Sequence, residues 1–338
     1  MAPLVERYLA GALLRIGERP LPMRAQLLAL RAWSHLWAAR FDAAGADIAA
    51  AEADVRWLAV SGETELSIEQ FHLVRDVMHG RAATVQQRLQ AQLLREQDAP
   101  PERRSLYQHH VAVVAVRLSD GLGDAEGLRR WAGLMRENPL EDGRSTLPRA
   151  VAARARWAAA QGRWADAADL FTALLPHLPV MDVMAQRTDL TLRAAQALLR
   201  AGRIAEAAPP LAEVLDRIAR EGVRGQAMVT HPAVLQVLAD ARWGLLLGAP
   251  AQAELQALAA LSATLRGAPA AAAPAAEGPL SSREREVLEH LAAGDTNKHI
   301  ARALDISPHT VKRHVANILD KLALASRGQA AAWLRQNP

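Results

Sequence analysis

Apolar positions recur along this chain at three- and four-residue intervals, the spacing that keeps side chains on one face of an α-helix. One such stripe runs from Leu190 to Leu199 and another from Ala207 to Ile218, with Gly202 between them. Nearer the C-terminus three shorter stripes follow in order: Val287, Leu288 and Leu291; Ile300, Ala301 and Leu304; then Val311, Val315, Ile318, Leu319 and Leu322. Ala, Leu and Arg dominate the chain, and they suit helices better than the β-branched residues that strands favour. Pattern and composition together predict an all-α protein.

Between the stripes a short motif recurs: a small residue, an aromatic, Ile, Ala or Pro two places on, and usually Ala five places on. It occurs as ARFDAA from Ala39, GRAATV from Gly80, GDAEGL from Gly123, GRWADA from Gly162, GRIAEA from Gly202 and GAPAQA from Gly248. Successive starts lie 41, 43, 39, 40 and 46 residues apart, and a period of this size signals one repeated supersecondary unit. Each match falls between apolar-periodic segments, so the small residue is predicted to be the turn of a helical hairpin. A glycine there ends the first helix in the left-handed conformation without a Cβ penalty. Small residues five places on let the paired helices approach closely. Six hairpins side by side predict an α-solenoid, a right-handed superhelix whose concave face would bind an effector or a protein partner.

The stretch RGAPAAAAPAAEGP, residues 266–279, has almost no large side chain and reads as a flexible Ala/Pro linker. It separates a helical-repeat domain, 1–265, from a smaller domain, 280–338. With 51% apolar residues the 338-residue chain can bury a substantial core. The absence of cysteine excludes disulfide frameworks, thiol catalysis and Cys-ligated zinc. The start MAPLVERYLAG lacks a long apolar stretch, and no run approaches the roughly 18 apolar residues of a membrane span. A cytoplasmic protein that does not enter a membrane is expected.

The formal charge of +4 is too small to argue nucleic-acid binding by itself, but its distribution is uneven. Residues 1–280 hold 31 basic and 30 acidic side chains, and residues 281–338 hold nine and six. Of the 40 basic residues only three are lysines, Lys298, Lys312 and Lys321, all in this last segment.

That segment has strong local signals. Ser281 followed by Glu284 forms a capping box, and Gly294 closes the first helix. A second helix starts from a Thr296 cap, and only Leu304, Asp305 and Ile306 precede Ser307, an N-cap with Pro308 at the first helical position. Helices joined so tightly cross at a large angle, as in a helix-turn-helix. With its apolar stripe inward, the third helix presents His309, Lys312, Arg313, Ala316 and Asp320 outward. Two cations and a small residue near the front of a helix suit a major groove. Lys312 and Arg313 can donate to guanine O6 and N7, and Ala316 can pack on a thymine methyl.

The residues LSSREREVLEHLAAGDTNKHIARALDISPHTVKRHVANILDKL resemble, almost position for position, the DNA-binding domain of the LuxR (GerE-like) regulators, over about 280 to 334. The resemblance implies a four-helix domain in which Lys312, Arg313 and Ala316 face base edges. It implies that Asn297, Lys298 and Thr310, with His309, hold phosphates, and that a fourth helix, about Arg327 to Leu334, forms the dimer contact. Two positions depart from the family: Ala323 stands where Gly is common, at a cost of about 1 kcal/mol if a left-handed cap is kept. His299 replaces a usual acidic residue, making its helix slightly more attractive to phosphate.

Residues 10 to 265 are similar to tetratricopeptide-type repeats, particularly the helical arm of MalT-like regulators, although the usual tyrosine and tryptophan marks are patchy. Those regulators usually carry an ATPase module ahead of the arm. A Walker A loop needs lysine and none precedes Lys298, so a shortened form without a nucleotide switch is expected.

Other motifs favour structural readings. Trp33 and Trp37, at i and i+4, suit packing between helices better than a ligand cage. His72 and His79 lack a third metal ligand, His109 and His110 face different ways, and no H-E-x-x-H occurs. GLGDAEG, residues 121–127, falls on a repeat turn rather than on a nucleotide loop. No nucleophile elbow, kinase set or phosphoacceptor domain is visible. No enzyme activity, cofactor or metal is therefore expected. The expected function is sequence-specific transcription regulation: a homodimer on double-stranded promoter DNA with inverted-repeat half-sites, RNA polymerase as a further candidate partner, and an arm that senses an effector or binds a protein. The alternative from another class is a repeat scaffold that regulates a partner, with the C-terminal domain as an auxiliary DNA tether.

Overall fold

The computed structural model describes residues 2–18, 20–57, 62–95, 97–98, 100–136, 138–141, 143–177, 186–267, 282–304, 307–322, 324 and 326–336. It divides into two compact units, Met1–Ala268 and Pro269–Pro338. Every regular element among the described residues is helical, so the protein is all-α. None of these helices is long and apolar enough to cross a membrane.

In the first unit α1 (Ala2–Ile16) precedes six hairpins: α2 (Pro22–Trp37) with α3 (Phe41–Trp57), α4 (Gly62–Met78) with α5 (Ala82–Arg95), and α6 (Pro101–Leu122) with α7 (Ala125–Ala132). Then come α8 (Pro148–Ala160) with α9 (Trp164–Leu174), α10 (Gln186–Arg200) with α11 (Ile204–Glu221), and α12 (Pro232–Ala239) with α13 (Ala249–Gly267). Pro22, Pro101, Pro148 and Pro232 open the leading helix of four hairpins, where the missing N–H is not needed and the fixed φ is already helical. The helix α13 runs through Arg266 and Gly267, so these two residues are helical rather than linker. Arg266 donates to the Gly121 carbonyl at 2.8 Å.

The repeat motif marks five real turns. Ala39, Gly80, Gly123, Gly162 and Gly202 all have positive φ, between 59° and 78°. The residues five places on, Ala44, Val85, Leu128, Ala167 and Ala207, are all at most 1% exposed. Burial, rather than the alanine itself, is what the repeat preserves. The sixth match fails on both counts: Gly248 is not left-handed and Ala253 is exposed. There α12 and α13 are joined through a 3-10 turn, Gly244–Leu246, with Gly244 left-handed at 55°. This longer connection explains the wider spacing of the last match.

A second 3-10 segment, Arg224–Val229, packs against α2, α4, α10 and α13 at once. The segment thus brings the first, second, fifth and sixth hairpins together around one short stretch of chain. The approach is tight enough that a Cβ on Gly225 would lie 1.9 Å from the Leu36 carbonyl oxygen, so only glycine fits there.

Beside this segment sits a buried charge cluster. Arg156 pairs with Asp189 at 2.7 Å and Asp120 at 3.3 Å, and Arg193 pairs with Asp120 at 2.8 Å and Asp189 at 3.2 Å. Arg117 lies 3.8 Å from Asp189, and Thr230 donates to Asp189 at 2.9 Å. Burial works to raise the Asp189 carboxyl, but Arg156, Arg193 and Arg117 and the Thr230 hydroxyl outweigh it and hold the group well below the usual carboxylate range. At Asp120 burial prevails over Arg193 and Arg156, and the shift is upward.

Trp33, Trp37, His72 and His79, singled out in the sequence, are accounted for by contacts within the hairpin unit. The Trp33 and Trp37 rings lie 5.2 Å apart, with Phe71 edge-on to Trp33 at 5.5 Å. His72 meets Glu52 at 2.6 Å, and His79 Nδ1 lies 3.3 Å from the Leu265 carbonyl oxygen. In GLGDAEG the Asp124 side chain caps α7 by accepting from the Gly127 N–H at 2.8 Å.

Candidate nucleic-acid interface

The second unit contains α14 (Ser282–Ala292), α15 (Asn297–Ala303), α16 (Pro308–Lys321) and α17 (Arg327–Gln336). Its core is small and continuous: Val287, Leu288, Leu291, Ile300, Ala301, Val311, Ile318 and Ala330 are at most 5% exposed. Val315, Leu319 and Leu322 pack against it, so the predicted apolar stripe of α16 does face inward. Helix α17 packs on α14 and α16.

Local signals set the boundaries. Gly294, at φ 89°, ends α14 with the Asp295 N–H bonded to the His290 carbonyl at 3.0 Å. Thr296 caps α15 by accepting from the His299 N–H at 3.3 Å. Ser307 caps α16 by accepting from the Thr310 N–H at 3.0 Å, and the two hydroxyls lie 2.8 Å apart. Pro308 then supplies the first helical residue. Ser281 and the Glu284 side chain of the capping box, and Ala323, lie outside the described residues.

The sequence-predicted contacts fall on two helix starts. Asn297 and Lys298 occupy the first two positions of α15, with Lys298 exposed and Asn297 half-buried. Thr310 lies in the first turn of α16 and Lys312 follows, exposed. His309, Arg313 and Ala316 belong to α16, but their side chains lie outside the described residues. Neither Lys298 nor Lys312 pairs with a carboxylate among the described residues. Among the described residues no acidic side chain occupies the first turn of α16, where the positive end of a helix dipole favours an anion.

Asp295 has a role that the sequence did not advertise. Its carboxylate meets His290 at 2.7 Å and stands 3.8 Å from His299, while its backbone carbonyl accepts from Arg327 at 2.8 Å. One residue thus ties the α14–α15 turn to the start of α17. The pairing also alters the expectation for His299, since the nearby carboxylate offsets any attraction of its ring for phosphate.

The fold is that of a helix-turn-helix domain with a fourth helix closing the core. Residues 278–334 match the family of bacterial regulatory proteins, luxR family, and this domain is a member of it. The chain is 51% identical over 57 residues to the nitrate/nitrite response regulator protein NarL of Escherichia coli K12, covering 17% of this chain and 26% of that protein. It is 45% identical over 58 residues to the CsgBAC operon transcriptional regulatory protein of the same strain, 17% and 27% of the two chains. With the transcriptional regulatory protein LiaR of Bacillus subtilis it shares 47% over 58 residues, 17% and 28%. The chain thus spans about a quarter of the length of these relatives. No solved structure matches it.

Proposed function

We propose that the protein is a sequence-specific DNA-binding transcription regulator in the cytoplasm. The hairpin unit, residues 1–265, acts as a tetratricopeptide-like arm that takes an effector or a protein partner. The Ala/Pro segment joins it to the reading domain, 280–338. The observation that carries this reading is the luxR-family match over 278–334 combined with an α16 that buries Val311 and Ile318 and leaves Lys312 exposed. In this reading Lys312, Arg313 and Ala316 meet base edges in the major groove, while Asn297, Lys298, His309 and Thr310 position the helix on phosphates. One small domain offers limited contact area, so two copies bind half-sites about one helical turn apart, with α17 as the contact between them.

The purified full chain is tested against genomic DNA fragments, with sequencing of the bound pool at two salt concentrations. The expected result is an enriched inverted repeat and an affinity that falls steeply with salt as phosphate counterions are displaced. A bound pool without a shared motif at either salt concentration sinks the reading.

A further inference from the structure

The first unit holds a partly open cavity of about 240 Å³ between α4, α6 and α8, with Gln186 of α10 at its edge. Its walls are mainly apolar, built from Val74, Val113, Val114 and Ala152 among others, with the amides of Gln70 and Gln186 at the lining as well. Its charged lining is one-sided: Arg117, Arg149 and Arg156, joined by His110, with no carboxylate among the described residues that line it. Arg156 and Arg117 are 3% and 9% exposed, and they reach the cavity from the buried charge cluster, whose aspartates stay outside the lining. Arg149 is exposed at the first turn of α8. Three further pockets are mixed in charge, one lined by Asp120 with Arg193, another by Arg187 with Glu213 and a third by Asp124 with Arg129.

This combination selects a ligand chemistry. Arg156 and Arg117 are already engaged by Asp189 and Asp120, so the guanidinium fork of Arg149, which matches a carboxylate in shape and charge, is the group that meets the ligand's anion at the cavity mouth. The valine and alanine walls favour a hydrocarbon or aromatic body over a sugar or a polyphosphate, whose hydroxyls or charges would be left unpaired there. A cavity near 150 Å³ holds benzene, so this one takes a body of about ten non-hydrogen atoms in the same proportion. We infer that the cavity between α4, α6 and α8 is the effector site of the arm and that its ligand is an organic monocarboxylate of this size. The inference rests on the proposed role of the arm as a sensor, but its test does not involve DNA.

The full chain is titrated calorimetrically with sodium octanoate and sodium phenylacetate, which separate a flexible chain from an aromatic ring. 1-Octanol, without the charge, and sodium acetate, without the body, are the controls. At least one of the two larger carboxylates is expected to bind about tenfold or more tightly than either control. Arg149→Gln, at an exposed position that folding does not need, weakens that binding about tenfold. Val114→Phe, which fills the cavity, abolishes it, and Lys312→Ala leaves it unchanged. Equal binding of 1-octanol, no binding of either carboxylate at millimolar concentration, or undiminished binding in Arg149→Gln overturns the site. A protein that takes the carboxylate yet ignores DNA overturns the proposed function and leaves the site standing. One that reads DNA but ignores both carboxylates does the reverse.

Discussion

In the hairpin unit Arg24 holds Asp54 and Arg31 holds Asp47, each at 2.6 Å, and Arg224 grips Glu254 at 2.7 Å. In the C-terminal unit Lys298 and Lys312 stand exposed with no carboxylate partner among the described residues. Both units carry basic side chains, but they spend them on different tasks. The planar guanidinium makes two parallel bonds to a carboxylate and tolerates burial, so arginine serves to join helices within and between hairpins. A lysine is a compact, hydrated charge on a flexible stem, suited to a surface that must meet phosphate and base edges. A cation paired with a carboxylate of another helix thus marks architecture, and one left exposed without such a partner marks an interface.

The sharpest way to break this distinction is Asp189→Ala. It leaves Arg156, Arg193 and Arg117 around a single remaining carboxylate, Asp120, in a buried site. Loss of one partner from a buried ion pair costs about 3–5 kcal/mol, and the Thr230 bond that anchors the 3-10 segment goes with it. Urea denaturation should show a loss of this size, and hydrogen exchange should place the new opening in residues 186–200 and 224–230. Unchanged exchange there, or opening confined to residues 308–321, would contradict the structural role of the cluster.

The exposed lysines predict the opposite behaviour. Lys312→Ala should leave thermal stability within about 0.5 kcal/mol, as surface changes usually do. It should remove about 1–3 kcal/mol of discrimination between the enriched site and unrelated DNA, and Arg313→Ala should do the same. Lys298→Ala should weaken binding to all sequences alike and reduce the salt slope by about 0.9. If both lysine variants changed only the salt slope, Lys312 would be a phosphate contact. If the regulated response survived loss of Lys312 and Arg313 together, the arm would be acting as a scaffold.

These two regions were also unequally legible. Thr296, Ser307 with Pro308, and Gly294 act within a few residues of their own position, so the three helices they delimit follow from local chemistry alone. The hairpin turns were legible for the same reason at Gly80, Gly123, Gly162 and Gly202. The closing of the array was not, because Gly225 meets Leu36 across most of the unit and no period marks that encounter. The buried cluster was hidden in a similar way: Asp120, Arg156, Asp189 and Arg193 look like ordinary polar positions of amphipathic helices until three hairpins bring them together. Asp295 escaped notice because a carboxylate in a turn between helices resembles any solvated loop residue.

A smaller effect separates the units by pH. His231 caps α12 by accepting from the Ala233 N–H at 3.2 Å. Burial, with Arg266 and Arg193 nearby, lowers its pKa to about 4. The ring is therefore neutral in the folded protein near neutrality, while the unfolded chain takes up its proton near pH 6.5. Stability from this group is complete above about pH 6.5 and is lost as pH falls through about 4. For a half-buried ring the loss should reach about 1–2 kcal/mol once solvent screening is allowed for. His231→Gln should flatten urea midpoints for the hairpin unit over that range; an unaltered slope would mean that other groups set its acid sensitivity.

The smallest expected effect lies within the repeat itself. Of the five left-handed turns that the motif marks, four have glycine and one has Ala39, the only non-glycine residue with positive φ among the described residues. An alanine Cβ in this conformation crowds the adjoining backbone, at a cost of about 1 kcal/mol relative to glycine after the greater freedom of unfolded glycine is counted. Ala39 belongs to the hairpin that the 3-10 segment locks through Leu36, so its strain is held by contacts formed far along the chain. Ala39→Gly should therefore raise the melting temperature of the hairpin unit by about 2–4 °C without altering DNA affinity. A fall in melting temperature would show that the Ala39 methyl makes packing contacts worth more than the strain it carries, and that the first turn is not equivalent to the other four.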